Sequence, residues 1–175
     1  MLAQDLVERV PTVLRSTTGA EAARVVAEYR LNGLVVTDER QTPIAVIPGS
    51  QVLGLILPAY VRDEPNLAHV LDADDADELC RALNEATIGQ LIDDRRLVAN
   101  ELPTVLPEDT LIEIAAAMVV GRLPLIAVRE AGGTYRGVIT MSRVLAAIAA
   151  AAGQDSDLIR RRLERDLLPP AEGAR

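Results

Sequence analysis

The chain has 175 residues, enough for one compact domain or for two half-sized units sharing a core. Hydrophobic residues make up 49% and aromatics only 2%, with no Trp and no Phe, so the core must be built from Leu, Ile, Val and Ala. A formal charge of −8 repels phosphate backbones, which argues against a nucleic-acid partner.

From the N-terminus, Asp5 and Glu8 stand where a signal peptide would carry bases and an apolar run. No apolar stretch approaches the roughly 20 residues that span a bilayer. A cytoplasmic protein without direct membrane insertion is expected. A short leader, residues 3–7, precedes Pro11-Thr12-Val13-Leu14. Thr18 and Glu21 have capping-box spacing, and Ala22, Ala23, Val25, Val26 and Tyr29 supply the apolar face of a helix ending near residues 31–33. Residues 34–37 read as a buried strand, 38–43 as a polar turn and 44–47 as the returning strand. Ser50 is the expected N-cap of the next helix, which residues 54–61 extend until Pro58 ends it. Residues 72–84 read as a helix with Leu79, Cys80 and Leu83 inward. Its acids, Asp72, Asp74, Asp75, Asp77 and Glu78, lack the glycine and distal glutamate of a calcium loop and suit a helix N-terminus instead. His69 and Cys80 have no partner of the right type nearby, so no catalytic residue and no metal ligand is assigned.

The second half repeats the first. Pro103-Thr104-Val105-Leu106 follows Pro11-Thr12-Val13-Leu14 at a displacement of 92 positions (11 to 103). At the same displacement Thr110 and Glu113 match Thr18 and Glu21, Val138-Ile139 matches Val46-Ile47, and Ser142-x-Val144-Leu145 matches Ser50-x-Val52-Leu53. A second leader, residues 88–92, precedes this copy. A strand is expected over 123–128, a turn over 130–134, a return over 136–139, and a helix capped by Ser142 and ended by Gly153. Capping chemistry that recurs together with the hydrophobic pattern marks a duplicated supersecondary unit, and clefts between paired copies commonly take small ligands. A charged helix over residues 156–168 closes the chain before Pro169-Pro170. Its three arginines, Arg160 to Arg162, interleave with acids and read as a solvated face, or as a docking element for a second subunit. Arg136 and Arg143 read as a small basic pocket near Thr140 or, more simply, as two separate, solvated arginines.

Thr87-Ile88-Gly89-Gln90-Leu91-Ile92, Leu102-Pro103-Thr104-Val105, Leu123-Pro124-Leu125 and Gly137-Val138-Ile139-Thr140 together resemble the cystathionine-β-synthase (CBS) domain, and two copies in one chain resemble a Bateman module. The resemblance implies an α/β fold, a tandem CBS-domain repeat of two βαββα-type units in a pseudo-two-fold arrangement. An inter-repeat helical insertion and a C-terminal helix are added to it. The expected division is a first repeat over 2–60, a helical connection over 61–86, a second repeat over 87–152, a C-terminal helix over 153–168 and a disordered tail over 169–175.

The resemblance also implies a non-catalytic regulatory module that binds AMP, ADP, ATP or S-adenosylmethionine. It further implies a homodimer that acts on a partner enzyme or membrane transporter. Ligand contacts would come from Thr12, Val13, Thr104 and Val105 through their backbones, with Arg122 beside Pro124 toward a phosphate. The family's ribose motif, a hydroxyl residue three positions before an aspartate, falls on Thr140 and Arg143 in the second copy and on Pro48 and Gln51 in the first. Arg143 cannot accept a ribose hydrogen bond, although it can meet a phosphate in a bidentate way. The alternative reading is a ligand-free dimerisation and protein-interaction scaffold.

Overall fold

A computed structural model describes residues 1–154 and 156–164. Among these residues, six short strands form two three-stranded sheets of identical topology. The chain divides into two compact units, Thr12–Glu101 and Met1–Pro11 together with the chain from Leu102.

In the 12–101 unit, β1 (Thr12–Leu14) pairs in parallel with β2 (Gly33–Thr37), and β3 (Pro43–Pro48) returns antiparallel on the other side. The central strand β2 is buried along its whole length, as its unbroken apolar run requires. Between β1 and β2 runs α2 (Gly19–Tyr29), capped by Thr18, whose hydroxyl accepts from the Glu21 amide at 3.2 Å. Here Glu21 turns to Arg24 (3.6 Å), so only half of the expected box forms. The helix stops at Arg30, in the left-handed region with φ 53°. Beyond β3, Pro48 rather than Ser50 is the N-cap of α3 (Gly49–Leu53), because the strand runs directly into the helix and leaves Ser50 in its first turn. Instead of extending α3, the chain tightens into a 3₁₀ turn (Gly54–Ile56), and α4 (Ala59–Asp63) starts after Pro58. A second 3₁₀ segment, Pro65–Val70, leads into α5 (Ala73–Ala82). Asp72 caps α5 by accepting from the amides of Asp74 (2.9 Å) and Asp75 (3.0 Å), the structural use of acids that the sequence suggested. Leu83 is buried just past this helix, but Cys80 is exposed, contrary to expectation. The unit is completed by the second leader, α6 (Ile88–Asp93). Its first amides, Ile88 and Gly89, donate to the carbonyls of Thr17 (2.8 Å) and Arg15 (2.7 Å).

In the other unit β4 (Thr104–Val105), β5 (Leu125–Arg129) and β6 (Tyr135–Thr140) repeat this sheet, including the register shift at the end of the central strand. Thr110 and Glu113 form the full capping box of α7 (Leu111–Gly121), and the Thr110 backbone amide and hydroxyl, each donating to the Glu113 carboxylate at 2.8 Å, hold that carboxyl below its ordinary pKa. The helix ends at Arg122, again left-handed with φ 51°. Thr140 is the N-cap position of α8 (Met141–Ala151), in place of the expected Ser142, for the same strand-into-helix reason as at Pro48. Gly153 follows that helix with φ 81°. The last described element is α9 (Asp157–Glu164). It carries an Arg160–Asp157 ion pair at 2.8 Å, while the remainder of the expected helix and the tail over 169–175 lie outside the described residues.

The compact units thus exchange leaders relative to the sequence repeats. The first leader, α1 (Ala3–Leu6), is tied by Ala3 N–H to the Asp109 carbonyl (2.8 Å), and Ala3 and Leu6 enter a core with Val105, Ile114, Ile126, Ile139 and Val144. Glu8 then pairs antiparallel with Val138 through two backbone bonds of 2.8 and 3.0 Å. That approach depends on Gly137, whose φ is 147° and whose added Cβ would lie 2.7 Å from the Glu8 carbonyl oxygen. In the 12–101 unit Asn100 pairs with Val46 in the same way, with two bonds of 2.9 Å. No helix among the described residues is long and apolar enough to cross a membrane.

Candidate functional site

Among the described residues, buried polar side chains gather where β6 passes into α8. Thr140, at that junction, is 4% exposed, and Glu8, delivered beside β6 by the leader, is 1% exposed. The Thr140 hydroxyl donates to Glu8 Oε1. A buried carboxylate must be paired or it gives up its charge. Glu8 is paired by Arg162 of α9, which donates from Nη1 to Oε2 (2.9 Å) and from Nη2 to Oε1 (2.7 Å), a bidentate fork. The same guanidinium reaches the Ser142 hydroxyl from Nε (3.0 Å) and Nη2 (2.8 Å), and Nη2 also donates to Thr140 Oγ1. Arg143 lies behind the carboxylate, its Nη1 3.7 Å from Glu8 Oε2, and donates to the Leu163 carbonyl.

These contacts correct the reading of Arg143 as a solvated side chain. It is 5% exposed and commits its charge to Glu8 and to the end of α9. Arg136 does stand apart from it, pairing with Glu130 across the β5–β6 turn at 2.6 Å. Nor is the C-terminal helix only a solvated face. Ile159, Arg162 and Leu163 turn inward at helical spacing, and Leu163 packs against the core.

Arg122 and Pro124 belong to a different feature, an open groove of about 370 Å³ between α7 and α8. Met118, Val119, Met141, Val144, Leu145 and Ile148 make its walls almost wholly apolar. Pro124 also fixes the start of α8, its carbonyl accepting from Met141 N–H at 2.9 Å. Thr104 is exposed and Val105 buried on the edge strand β4, opposite Ala127 and Val128. Thr12 and Val13 hold the equivalent places on β1, in the other unit, opposite Val35 and Val36. Of the expected ligand residues, the structure therefore gathers Thr140 with Arg143 and Arg122 with Pro124, as two separate groups.

Three members of the polar cluster escaped the sequence reading. Glu8 interrupts the apolar run Leu6-Val7…Val10, which was a usable signal for a buried acid. Ser142 was read only as a cap. Arg162 was hidden among three consecutive arginines, and helical phase alone does not say which of the three turns inward. Among the described residues, no three His, Cys, Asp or Glu side chains converge to hold a metal.

Two α/β units on matching three-stranded sheets, each completed by an exchanged leader, define a tandem-repeat class of α/β fold. The chain belongs to the CBS-domain family. The CBS domain matches residues 92–150. A CBS domain-containing protein of unknown function from Kribbella flavida DSM 17836 is 37% identical, with a TM-score of 0.69 over 85% of this chain and 99% of that one. At the level of fold alone, the CBS-pair protein CBSX2 from Arabidopsis thaliana superposes with a TM-score of 0.63 at 18% identity, over 89% of this chain and 98% of its own. A structure of CBSX2 in complex with AMP gives 0.59 at 18% identity, over 86% and 98%. No curated protein matches the chain.

Proposed function

We propose that this CBS pair is a non-catalytic regulatory module that senses a small adenosine-containing ligand and passes its occupancy to a partner protein. The observation that carries this reading is the Glu8–Thr140 pair. Thr140 lacks an aspartate three residues on, but the leader brings a carboxylate to hydrogen-bond contact with its hydroxyl. A hydroxyl beside a carboxylate is the acceptor set that a ribose diol requires. The AMP complex of CBSX2 makes AMP the first ligand to try, followed by ADP, ATP and S-adenosylmethionine. Arg122, exposed at the end of α7, remains the candidate for a phosphate, with Thr104, Val105, Thr12 and Val13 offering backbone groups. Arg143 is better suited to holding Glu8 than to meeting a ligand.

A partner enzyme or membrane transporter in the cytoplasm would read the occupied state through a shift in the population of conformers. Self-association is supported by the exposed apolar surface of α7 and α8, where Ile112, Val119, Val120 and Leu145 are all more than half exposed. Sedimentation equilibrium tests it, and a monomer at micromolar concentration sinks the dimer.

Thermal melts with each nucleotide and with S-adenosylmethionine test the sensor. A ligand at 100 times its Kd stabilises by about 2.7 kcal/mol, or roughly 5–11 °C for a chain of this length. Flat melting temperatures with all of them favour the ligand-free scaffold. That reading also draws support from the fact that Arg162 already satisfies the Glu8–Thr140 pair.

A further inference from the structure

We infer that Glu8, Thr140 and Ser142 form a guanidinium receptor, filled from within the chain by Arg162, and that α9 thereby closes this pocket to other ligands. Every polar group that these three residues present to α9 is an acceptor or a hydroxyl. Glu8 offers two carboxylate oxygens, and Thr140 and Ser142 offer one hydroxyl oxygen each. The Arg162 fork engages all of them through Nε, Nη1 and Nη2. A lysine, as a compact point charge, cannot span that set of acceptors.

The receptor is built on the sheet, and the occupant comes from the helix packed against it. Glu8 is fixed by its backbone pairing with Val138, and Thr140 by its place at the end of β6. Arg162 sits on α9, in which Leu158 is 77% exposed. Most helical stability in proteins comes from tertiary packing, so the position of α9 depends on the contacts it makes. The Glu8 side chain is fully buried while that of Arg162 is 25% exposed, so the arginine forms the outer face of the pocket.

The chemistry sets what can compete. A group rich in donors, a second guanidinium or a vicinal diol, finds the acceptors that Arg162 releases. A phosphate in the same place meets the Glu8 carboxylate and is repelled. The closure half of the inference rests on the adenosine-ligand reading above; the receptor half does not.

The test uses the full-length chain with Arg162→Ala, and Arg162→Gln should the alanine variant fail to fold. Melting temperature is measured with millimolar ethylguanidinium chloride, with ethylammonium chloride as the point-charge control. The variant is expected to melt well below the parent protein and to regain part of that loss, saturably, with ethylguanidinium and not with ethylammonium. Ethylguanidinium acting no differently on variant and parent overturns the receptor. In a second arm, AMP affinity is measured by calorimetry for both proteins, with about tenfold or tighter binding expected once Arg162 is gone. Equal measurable affinity overturns closure while the adenosine reading survives. AMP binding to neither protein overturns the adenosine reading and closure together, and the receptor then stands or falls on ethylguanidinium rescue alone.

Discussion

The two units share one backbone plan and differ in what they place at its most buried corner. At the end of β6, one unit collects Glu8, Thr140, Ser142, Arg143 and Arg162. At the matching end of β3, 92 positions earlier, the other has Pro48, and the residue that pairs beside it is Asn100 instead of a glutamate. Both leaders make the same two-bond antiparallel bridge. The scaffold therefore does not require a polar corner. One copy carries a buried acid that two arginines must neutralise, and that requirement draws α9 onto the unit. Buried ion pairs of this kind contribute little net stability over an apolar replacement but are costly to break. Their retention in a single copy fits a specialised role for that corner.

The comparison can be broken most forcefully at Glu8. Glu8→Ala leaves Arg143 and Arg162 without their shared carboxylate and is expected to cost about 3–5 kcal/mol, roughly 6–20 °C in melting temperature. Asn100→Ala, at the counterpart position, keeps both backbone bonds to Val46 and is expected to cost about 1 kcal/mol or less. Equal losses in urea denaturation would show that the two corners are energetically alike. Next comes the leader's approach to the sheet. Gly137→Ala forces a left-handed φ on alanine and sets its Cβ against the Glu8 carbonyl, at an expected cost of about 2–3 kcal/mol. The first copy has alanine at the matching position, and Ala45→Gly there should cost no more than about 1 kcal/mol.

The buried threonines sharpen the contrast. Thr140→Val removes a hydroxyl engaged by both Glu8 and Arg162 and is expected to cost about 1–2 kcal/mol. Thr37→Val, in the other unit, removes a buried hydroxyl with no hydrogen-bond partner among the described residues, and is expected to be neutral or stabilising in the same denaturation experiment. The smallest effect is alkaline. Burial pushes the Tyr135 hydroxyl up to about 12, partly offset by Arg129, whereas the first copy has Pro43 at that position. Between pH 10 and 12 the unfolded chain loses this proton and the folded chain keeps it, so unfolding becomes easier as pH rises through that window. Tyr135→Phe is expected to flatten the fall in melting temperature over that range.

Much of the architecture was legible in the residues. The 92-position echo carried both sheets and both long helices, because hydrophobic period and capping chemistry are local properties that survive duplication. Thr18 and Thr110 cap as their spacing predicts. Ser50 and Ser142 do not, because each strand continues straight into its helix and shifts the cap two residues back, to Pro48 and Thr140. Thr140 was found through the family pattern. Its acidic partner was not, since the pattern looks three residues ahead and the carboxylate arrives from position 8. Arg122 and Pro124 line one groove, separate from the Thr140 cluster with which the sequence reading had grouped them.

By itself, then, the sequence determined the duplication, the α/β units, the aliphatic core and the family, all of which rest on short-range patterns of burial and capping. Only the tertiary structure decided that each leader completes the sheet unit of the other copy, and that residues 8, 140, 142, 143 and 162 share one buried corner. The physical reason is the range of the forces involved. A helix cap is satisfied within three residues of itself. A buried carboxylate must find its counter-charge wherever the folded chain delivers it, and here the arginine comes from 154 residues away.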